Sequence, residues 1–160
     1  MRWDLLDRFE VLKKNEVARA LKTFSGQEDF FAEHYPGDPA MPEPLFIEMI
    51  AQAGGVLYGL GIEFKKEVIL VKIEDAEFQT LVRPPCSLEV EARIVGESED
   101  GAWVSGEVRH EGRHVASARI LLIAIESLNG LSSGKIVFND HFLSHYDIWN
   151  VAKKSEGIRV

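Results

Sequence analysis

Two residues with acid–base side chains, His34 and Glu48, lie fourteen positions apart on either side of a proline-rich stretch. A histidine near neutral pH can accept a proton and return it. A carboxylic acid that burial keeps protonated can donate one. Together they are the two groups needed to remove water across adjacent carbons. The base takes the acidic proton beside a carbonyl, and the acid protonates the departing hydroxyl.

Each of these two residues also has an ordinary structural interpretation. A lone histidine is more often structural or simply exposed than catalytic. Glu48 lies in an apolar segment that offers no Lys or Arg partner nearby, so it could instead be bound by a loop or by a second subunit. Gln52 follows four residues later and shares the helical face of Glu48. Whether the two residues are catalytic or structural therefore depends on how the surrounding helices, strands and loops position them.

The segment between the two residues predicts a stiff loop followed by a buried helix. Four of the six prolines fall within residues 25–44, which we expect to be irregular and neither helix nor strand, because proline fixes φ and removes a donor. A rigid loop suits a general base. Pro44 suits the first helical position, and the apolar stretch 45–60 predicts a fully buried helix that stops near Gly59 or Gly61.

Strands are predicted on both sides of this helix. Residues 9–24 indicate two short strands around a turn at 13–16. Four longer strands are predicted at 68–78, 87–95, 103–110 and 114–125, with turns at 99–101 and 111–112. This order predicts an α+β fold in which one antiparallel sheet wraps a single helix.

Composition narrows the function classes. The net charge of -8 disfavours nucleic acid and gives no attraction to anionic membranes. The single cysteine, Cys86, allows no intramolecular disulfide and fits a reducing compartment. The N-terminus lacks the apolar stretch of a signal peptide, and segment 45–60 is too short to span a bilayer comfortably. We expect a cytoplasmic protein.

The segment from His34 to Pro42, followed by Glu48 to Ala53, resembles the active-site signature of the 3-hydroxyacyl-(acyl-carrier-protein) dehydratases, the FabZ and FabA type enzymes of fatty-acid synthesis. That pattern is His, aromatic, Pro, Gly, any residue, Pro, any residue, Met, Pro, and then an acid fourteen positions after the histidine. Weaker similarity extends over most of residues 1–125. The resemblance implies a hotdog fold, a curved antiparallel sheet wrapped around one long central helix. It also implies a hydro-lyase that converts a 3-hydroxyacyl thioester to the trans-2-enoyl thioester.

The resemblance also implies roles for individual residues. His34 would be the base and Glu48 the acid, in a homodimer whose sites take His34 from one chain and Glu48 from the other. Dimers could assemble further into hexamers. Backbone N–H groups near Gly37 and at the helix start would polarise the thioester carbonyl. The predicted substrate-binding residues are Gly37, Glu43, Pro44 and Gln52. The family usually has Gly and an apolar residue at the positions of Glu43 and Pro44, and Pro44 has no N–H.

The implied partner is an acyl carrier protein or a coenzyme A thioester, with no metal and no other cofactor. Basic residues that could guide an acidic carrier are Lys65, Lys66, Lys72 and Arg83. His141 and His145 are spaced for a metal on a helix, but we assign them to an amphipathic tail. Two other functions remain open: a hotdog acyl thioesterase, and a non-catalytic acyl-thioester binding module suggested by Glu43 and Pro44.

The predicted domain organisation is a dehydratase-like domain at residues 1–126 and a C-terminal region at 127–160. Residues 127–134 predict a linker because they are rich in Gly and Ser. The segment after it is rich in aromatic residues and could dock on the domain.

Overall fold

The structure, a computed structural model, describes residues 4–98, 100–126 and 136–160. Its elements in chain order are β1 (Arg8–Lys13), β2 (Val17–Phe24), α1 (Asp29–Glu33), α2 (Glu43–Gly61), β3 (Glu67–Phe78), β4 (Cys86–Ser98), β5 (Gly101–His110), β6 (Arg113–Ile125), α3 (Asp140–His145) and α4 (Ile148–Ser155). The six predicted strands and the central helix are therefore confirmed, with ends that shift by a few residues.

The strands form one antiparallel sheet in the order β1-β2-β4-β5-β6-β3. The pairs β4–β5 and β5–β6 join neighbours in sequence through short turns. Strand β3 instead pairs with β6, so that Glu67 lies opposite Ile125 and Phe78 opposite Ala116. This pairing leaves β1 and β3 as the two edges of the sheet.

Helix α2 packs closely on the inner face of the sheet. A Cβ added to Gly106 of β5 would lie 2.3 Å from Ile50 Cγ2 of the helix, so only glycine allows the observed approach. The helix begins at Glu43, which puts Pro44 at the second helical position and not the first. It ends at Gly61; Gly59 lies inside it, where the missing Cβ makes room for the Phe64 ring.

The prediction that residues 25–44 contain no helix is wrong at α1. The carboxylate of Glu28 accepts the backbone N–H groups of Ser25 at 3.0 Å and Gly26 at 2.8 Å, which fixes the turn before the helix. The ring of Phe24 in β2 then packs edge-on against Phe30 and Phe31, at centroid distances of 5.9 and 6.1 Å. These tertiary contacts stabilise a helix too short to stand alone.

Residues 136–160, here called the C-terminal extension, pack on the sheet and on α2. Phe138 lies 5.1 Å from Phe64 between ring centroids. The predicted linker at 127–134 and Glu99 of the predicted turn lie outside the described residues, and the domain boundary at 126 stays a prediction. Among the helices of the described ranges, none has both the length and the hydropathy to cross a membrane.

Candidate active site

His34 follows α1 directly and is half-buried. Its backbone N–H donates to the Phe30 carbonyl at 3.0 Å, and its own carbonyl accepts from Ala40 N–H at 2.8 Å. Its ring nitrogen Nδ1 lies 3.1 Å from the Ala40 carbonyl oxygen. Because a carbonyl can only accept, this contact requires a proton on Nδ1. The neutral ring then has Nε2 as its basic nitrogen, which is the form a general base needs.

The loop after His34 is a tight turn that presents Gly37 at an exposed tip. Tyr35 and Asp38 exchange backbone hydrogen bonds, with Asp38 N–H 3.0 Å from the Tyr35 carbonyl. Pro36 at the second position and Gly37 with φ of 80° at the third are the arrangement of a type II turn. The Tyr35 ring stacks on the His34 ring at 4.0 Å between centroids. The histidine is thus held by backbone and ring contacts together.

Two contacts tie this loop to the segment before β4. Met41 N–H donates to the Val82 carbonyl at 2.8 Å. Arg83 donates from Nε and Nη2 to the two carboxylate oxygens of Asp38, at 3.0 and 2.9 Å. Hydrogen bonding by Arg83, reinforced by its charge, lowers the pKa of Asp38. Sequence reasoning treated Arg83 as a docking residue and missed Asp38, because nothing local links positions 45 residues apart.

Glu48 lies in the second turn of α2 and is half-buried. The prediction of a fully buried helix over 45–60 is therefore wrong at this position. Gln52 Nε2 donates to Glu48 Oε1 at 3.0 Å, and Gln52 Oε1 accepts Leu5 N–H at 3.3 Å. Gln52 thereby orients the Glu48 carboxyl and anchors it to the N-terminal segment.

Glu48 and Gln52 line a cavity of about 650 Å³ between α2 and the C-terminal extension. Val68 and Leu70 of the edge strand β3 form another side. Among the described residues that line this cavity, His34 is absent. Glu43 and Pro44 are exposed in the first turn of α2 and also lie outside it.

Extension residues that sequence reasoning left out of the site line the same cavity. They include His141 and His145 of α3, and His145 Nε2 lies 3.8 Å from a carboxylate oxygen of Asp4. In the sequence, the only indication that this segment contributes to the cavity was its aromatic-rich composition. It predicted docking on the domain but not which face would be covered.

The four basic residues considered for carrier docking each have an acidic neighbour, so their charge is locally compensated. The pairs are Lys65 with Glu63, Lys66 with Glu126, Lys72 with Glu74, and Arg83 with Asp38.

A six-stranded antiparallel sheet on one central helix defines a hotdog-fold protein. The histidine in the loop before that helix and the acid inside it form a candidate acid–base site. A family model described as a FabA-like domain matches residues 2–119, and the chain belongs to this family. A 3-hydroxyacyl-(acyl-carrier-protein) dehydratase FabZ of Legionella pneumophila (strain Lens) is 34% identical over 121 residues, covering 73% of this chain and 81% of the relative.

Two solved structures show the same fold at low identity. The dehydratase heterocomplex ApeI:P from Xenorhabdus doucetiae aligns with a TM-score of 0.63 and 19% identity, covering 77% of this chain and 84% of that one. The smu.793 protein from Streptococcus mutans UA159, bound to acetyl CoA, aligns with a TM-score of 0.58 and 13% identity, covering 74% and 87%. The family resemblance and the hotdog fold predicted from sequence are confirmed.

Proposed function

We propose that this protein is a hydro-lyase that removes water from a 3-hydroxyacyl thioester, giving the trans-2-enoyl thioester, in fatty-acid or related acyl-chain biosynthesis. The observation that carries the proposal is the fixed tautomer of His34, held by the Ala40 carbonyl, together with a Glu48 carboxyl oriented by Gln52. The names of the FabZ relatives and membership of the FabA-like family support it.

In the proposed reaction, Nε2 of His34 takes the proton from C2, beside the thioester carbonyl. The electron pair of the C2–H bond forms the C2=C3 double bond, and the C3–O bond breaks. Glu48 gives its proton to the departing hydroxyl, which leaves as water. Return of the proton from His34 to Glu48 then restores both groups.

Backbone donors would stabilise the negative charge that develops on the thioester oxygen. Gly37 at the loop tip and Glu43 at the start of α2 are the proposed donors, and each such donor is worth about 10²–10³ in rate. Pro44 has no N–H and would contact substrate only through its ring.

We further propose a homodimer formed along β3, in which His34 of one chain meets Glu48 of the other. At the β1 edge, the extension already serves as a partner, because Leu12 N–H donates to Ser155 Oγ at 3.0 Å. At the β3 edge, Val71 and Ile73 are 46% and 47% exposed. Within the described ranges no further strand pairs with β3, and a sheet edge with exposed apolar side chains favours pairing with a second copy. The Glu48 cavity lies beside this edge, so a second chain there could supply the missing histidine.

The carrier proposed for the acyl group is acyl carrier protein or coenzyme A. The name of the FabZ relative favours the former, and the acetyl CoA of the smu.793 structure shows that a hotdog protein can hold the latter. Assembly into hexamers and a cytoplasmic location stay predictions.

The first experiment supplies purified protein with 3-hydroxyacyl thioesters and follows the enoyl product. We expect turnover, and a loss of about 10²–10⁴ in rate for His34→Ala, the usual worth of a general base. Full activity of His34→Ala would overturn the assignment. Release of free thiol without enoyl product would favour the thioesterase alternative, and binding without turnover would favour the non-catalytic one.

The second experiment tests the shared site by mixing two inactive variants, His34→Ala and Glu48→Gln, and allowing subunits to exchange. Random exchange of equal amounts makes half of the dimers mixed. If each site takes His34 from one chain and Glu48 from the other, every mixed dimer has one intact site out of two. The activity should recover to about one quarter of the wild-type value. With both residues taken from one chain, the mixture stays inactive.

A further inference from the structure

The C-terminal extension is anchored to the domain by polar contacts of two buried residues, Glu67 and Tyr146. Glu67 at the start of β3 is only 3% exposed, and its carboxylate accepts the backbone N–H groups of Ile136 and Val137. The Tyr146 hydroxyl is hydrogen-bonded to the Asp4 carboxylate and to the Leu6 carbonyl oxygen. These contacts hold the segment in one place, since detaching it would leave further polar atoms of Glu67 and Tyr146 without partners.

These anchors hold an aromatic row over the cavity that contains Glu48. Phe142 contacts Phe138 on one side and Tyr146 on the other, at ring-centroid distances of 5.5 and 4.9 Å. All three rings line the cavity, and so do Glu48 and Gln52 of α2. An elongated apolar group that occupies this cavity therefore has the candidate acid and the aromatic row among its walls.

The three rings differ in how much of their surface can meet a ligand. Phe138 and Tyr146 are 4% and 7% exposed, because both are embedded in the core. Phe142 packs against the core but is only partly buried. It is the member of the row whose size can change the cavity without removing a core side chain.

We propose that the extension is a wall of the acyl-binding cavity and that Phe142 determines which acyl chain lengths the enzyme accepts. This rests on the proposed function, but it concerns residues beyond the 2–119 matched by the family model. The cavity volume of about 650 Å³ is within the range of roughly 300–1,000 Å³ common for small-molecule sites. Its occupant is an unbranched apolar acyl chain. Each methylene that reaches an apolar wall strengthens binding about fourfold, and a chain long enough to collide with the Phe142 ring loses that gain.

The test compares kcat/KM for a series of thioesters, from 3-hydroxybutanoyl to 3-hydroxyhexadecanoyl, with the wild-type protein, Phe142→Ala and Phe142→Trp. Phe142→Ala should raise the ratio of long-chain to short-chain kcat/KM by about tenfold, the scale of discrimination available to an apolar pocket. Phe142→Trp should shift the preference towards shorter chains. Thermal melting identifies folded variants, and Phe142→Leu replaces Phe142→Ala if the latter unfolds.

The matched control is Trp149→Ala, which removes an aromatic ring from the same extension. Trp149 is 52% exposed and does not line the cavity, so its loss should leave the chain-length profile unchanged. An unchanged profile in the folded Phe142 variants, or an equal shift in Trp149→Ala, would overturn the inference. Calorimetric binding of the same thioesters gives an independent readout. If no thioester is turned over, the dehydratase proposal fails. A chain-length preference in binding that changes with the Phe142 substitutions would still support the extension as a wall of the acyl-binding cavity.

Discussion

The guanidinium of Arg83 makes a two-point contact with the carboxylate of Asp38, with Nε 3.0 Å from Oδ1 and Nη2 2.9 Å from Oδ2. Asp38 closes the turn that follows His34, so the pair connects the loop of the candidate base to the segment before β4. An exposed ion pair adds little to global stability. A two-point contact does fix orientation, and its effect is therefore expected on the position of His34.

Replacing Arg83 with Met should lower kcat/KM about tenfold, the effect of a small misplacement of a catalytic group, while the melting temperature changes little. Steady-state kinetics and thermal melting on the same preparation measure both effects. Arg109→Met is the matched control, because Arg109 forms a similarly exposed pair with Glu107 on β5, away from the loop. A loss of activity as large in Arg109→Met would contradict the positioning role.

The same pair gives a pH dependence. Because Arg83 lowers the pKa of Asp38 below its ordinary value of 3.8, the contact is fully present above that value. It is lost as the pH falls through the lowered pKa of the folded protein. The activity ratio of wild type to Arg83→Met should therefore stay constant from about pH 5 to pH 8. A ratio that collapses within this range would show that another group controls the loop.

Pro44 occupies the second position of α2 and has no backbone N–H. The substitution Pro44→Ala adds one at this position. If the start of α2 polarises the thioester carbonyl, the extra donor should raise kcat, by up to about 10²-fold. Initial rates at saturating substrate measure the effect. Glu43→Gln separates charge from donor number, because it removes the neighbouring charge and adds no backbone donor. An unchanged kcat in Pro44→Ala would place the carbonyl away from this turn.

Gly106→Ala should destabilise the fold by about 1–3 kcal/mol, the usual cost of overpacking a core. The added Cβ would lie 2.3 Å from Ile50 Cγ2, and this contact sets the distance between α2 and the sheet. Denaturant unfolding gives the free-energy difference. At Gly157, an added Cβ meets nothing within 4 Å, so Gly157→Ala is the control and should leave stability nearly unchanged. Equal stability of both variants would contradict the described packing.

Cys86 should resist alkylation in the native protein. Burial, with a smaller contribution from the negative charge of Glu28, raises the pKa of its thiol to about 11. The reactive thiolate is then about one part in a thousand at pH 8. Iodoacetamide labelling followed by mass spectrometry should show slow modification that becomes fast in denaturant. Rapid stoichiometric labelling of the folded chain would show that the thiol is accessible.

The sequence by itself predicted the six strands, the central helix and the candidate catalytic residues. Several of the signals are local: the alternation in the strands, the apolar run 45–60 and the prolines. They act over a few residues, so they predict local structure even when the tertiary fold is unknown. The motif from His34 to Pro42, with Glu48 fourteen positions after His34, was sufficient to indicate the family. The short helix α1 escaped prediction because its stability comes from Phe24, which lies outside it.

The tertiary structure decided which of these pieces meet. The pairing of β3 with β6 leaves β3 at one edge of the sheet, and no local pattern specifies that choice. The Arg83–Asp38 contact joins residues far apart in sequence, and the cavity lined by both Glu48 and Phe142 does the same. Such contacts depend on the register of the sheet and on where a segment docks. Bringing distant residues together costs conformational entropy, and this cost is offset only when the whole core forms. The sequence therefore indicated a candidate base and a candidate acid, and the fold placed Glu48 in a cavity that the C-terminal extension also lines.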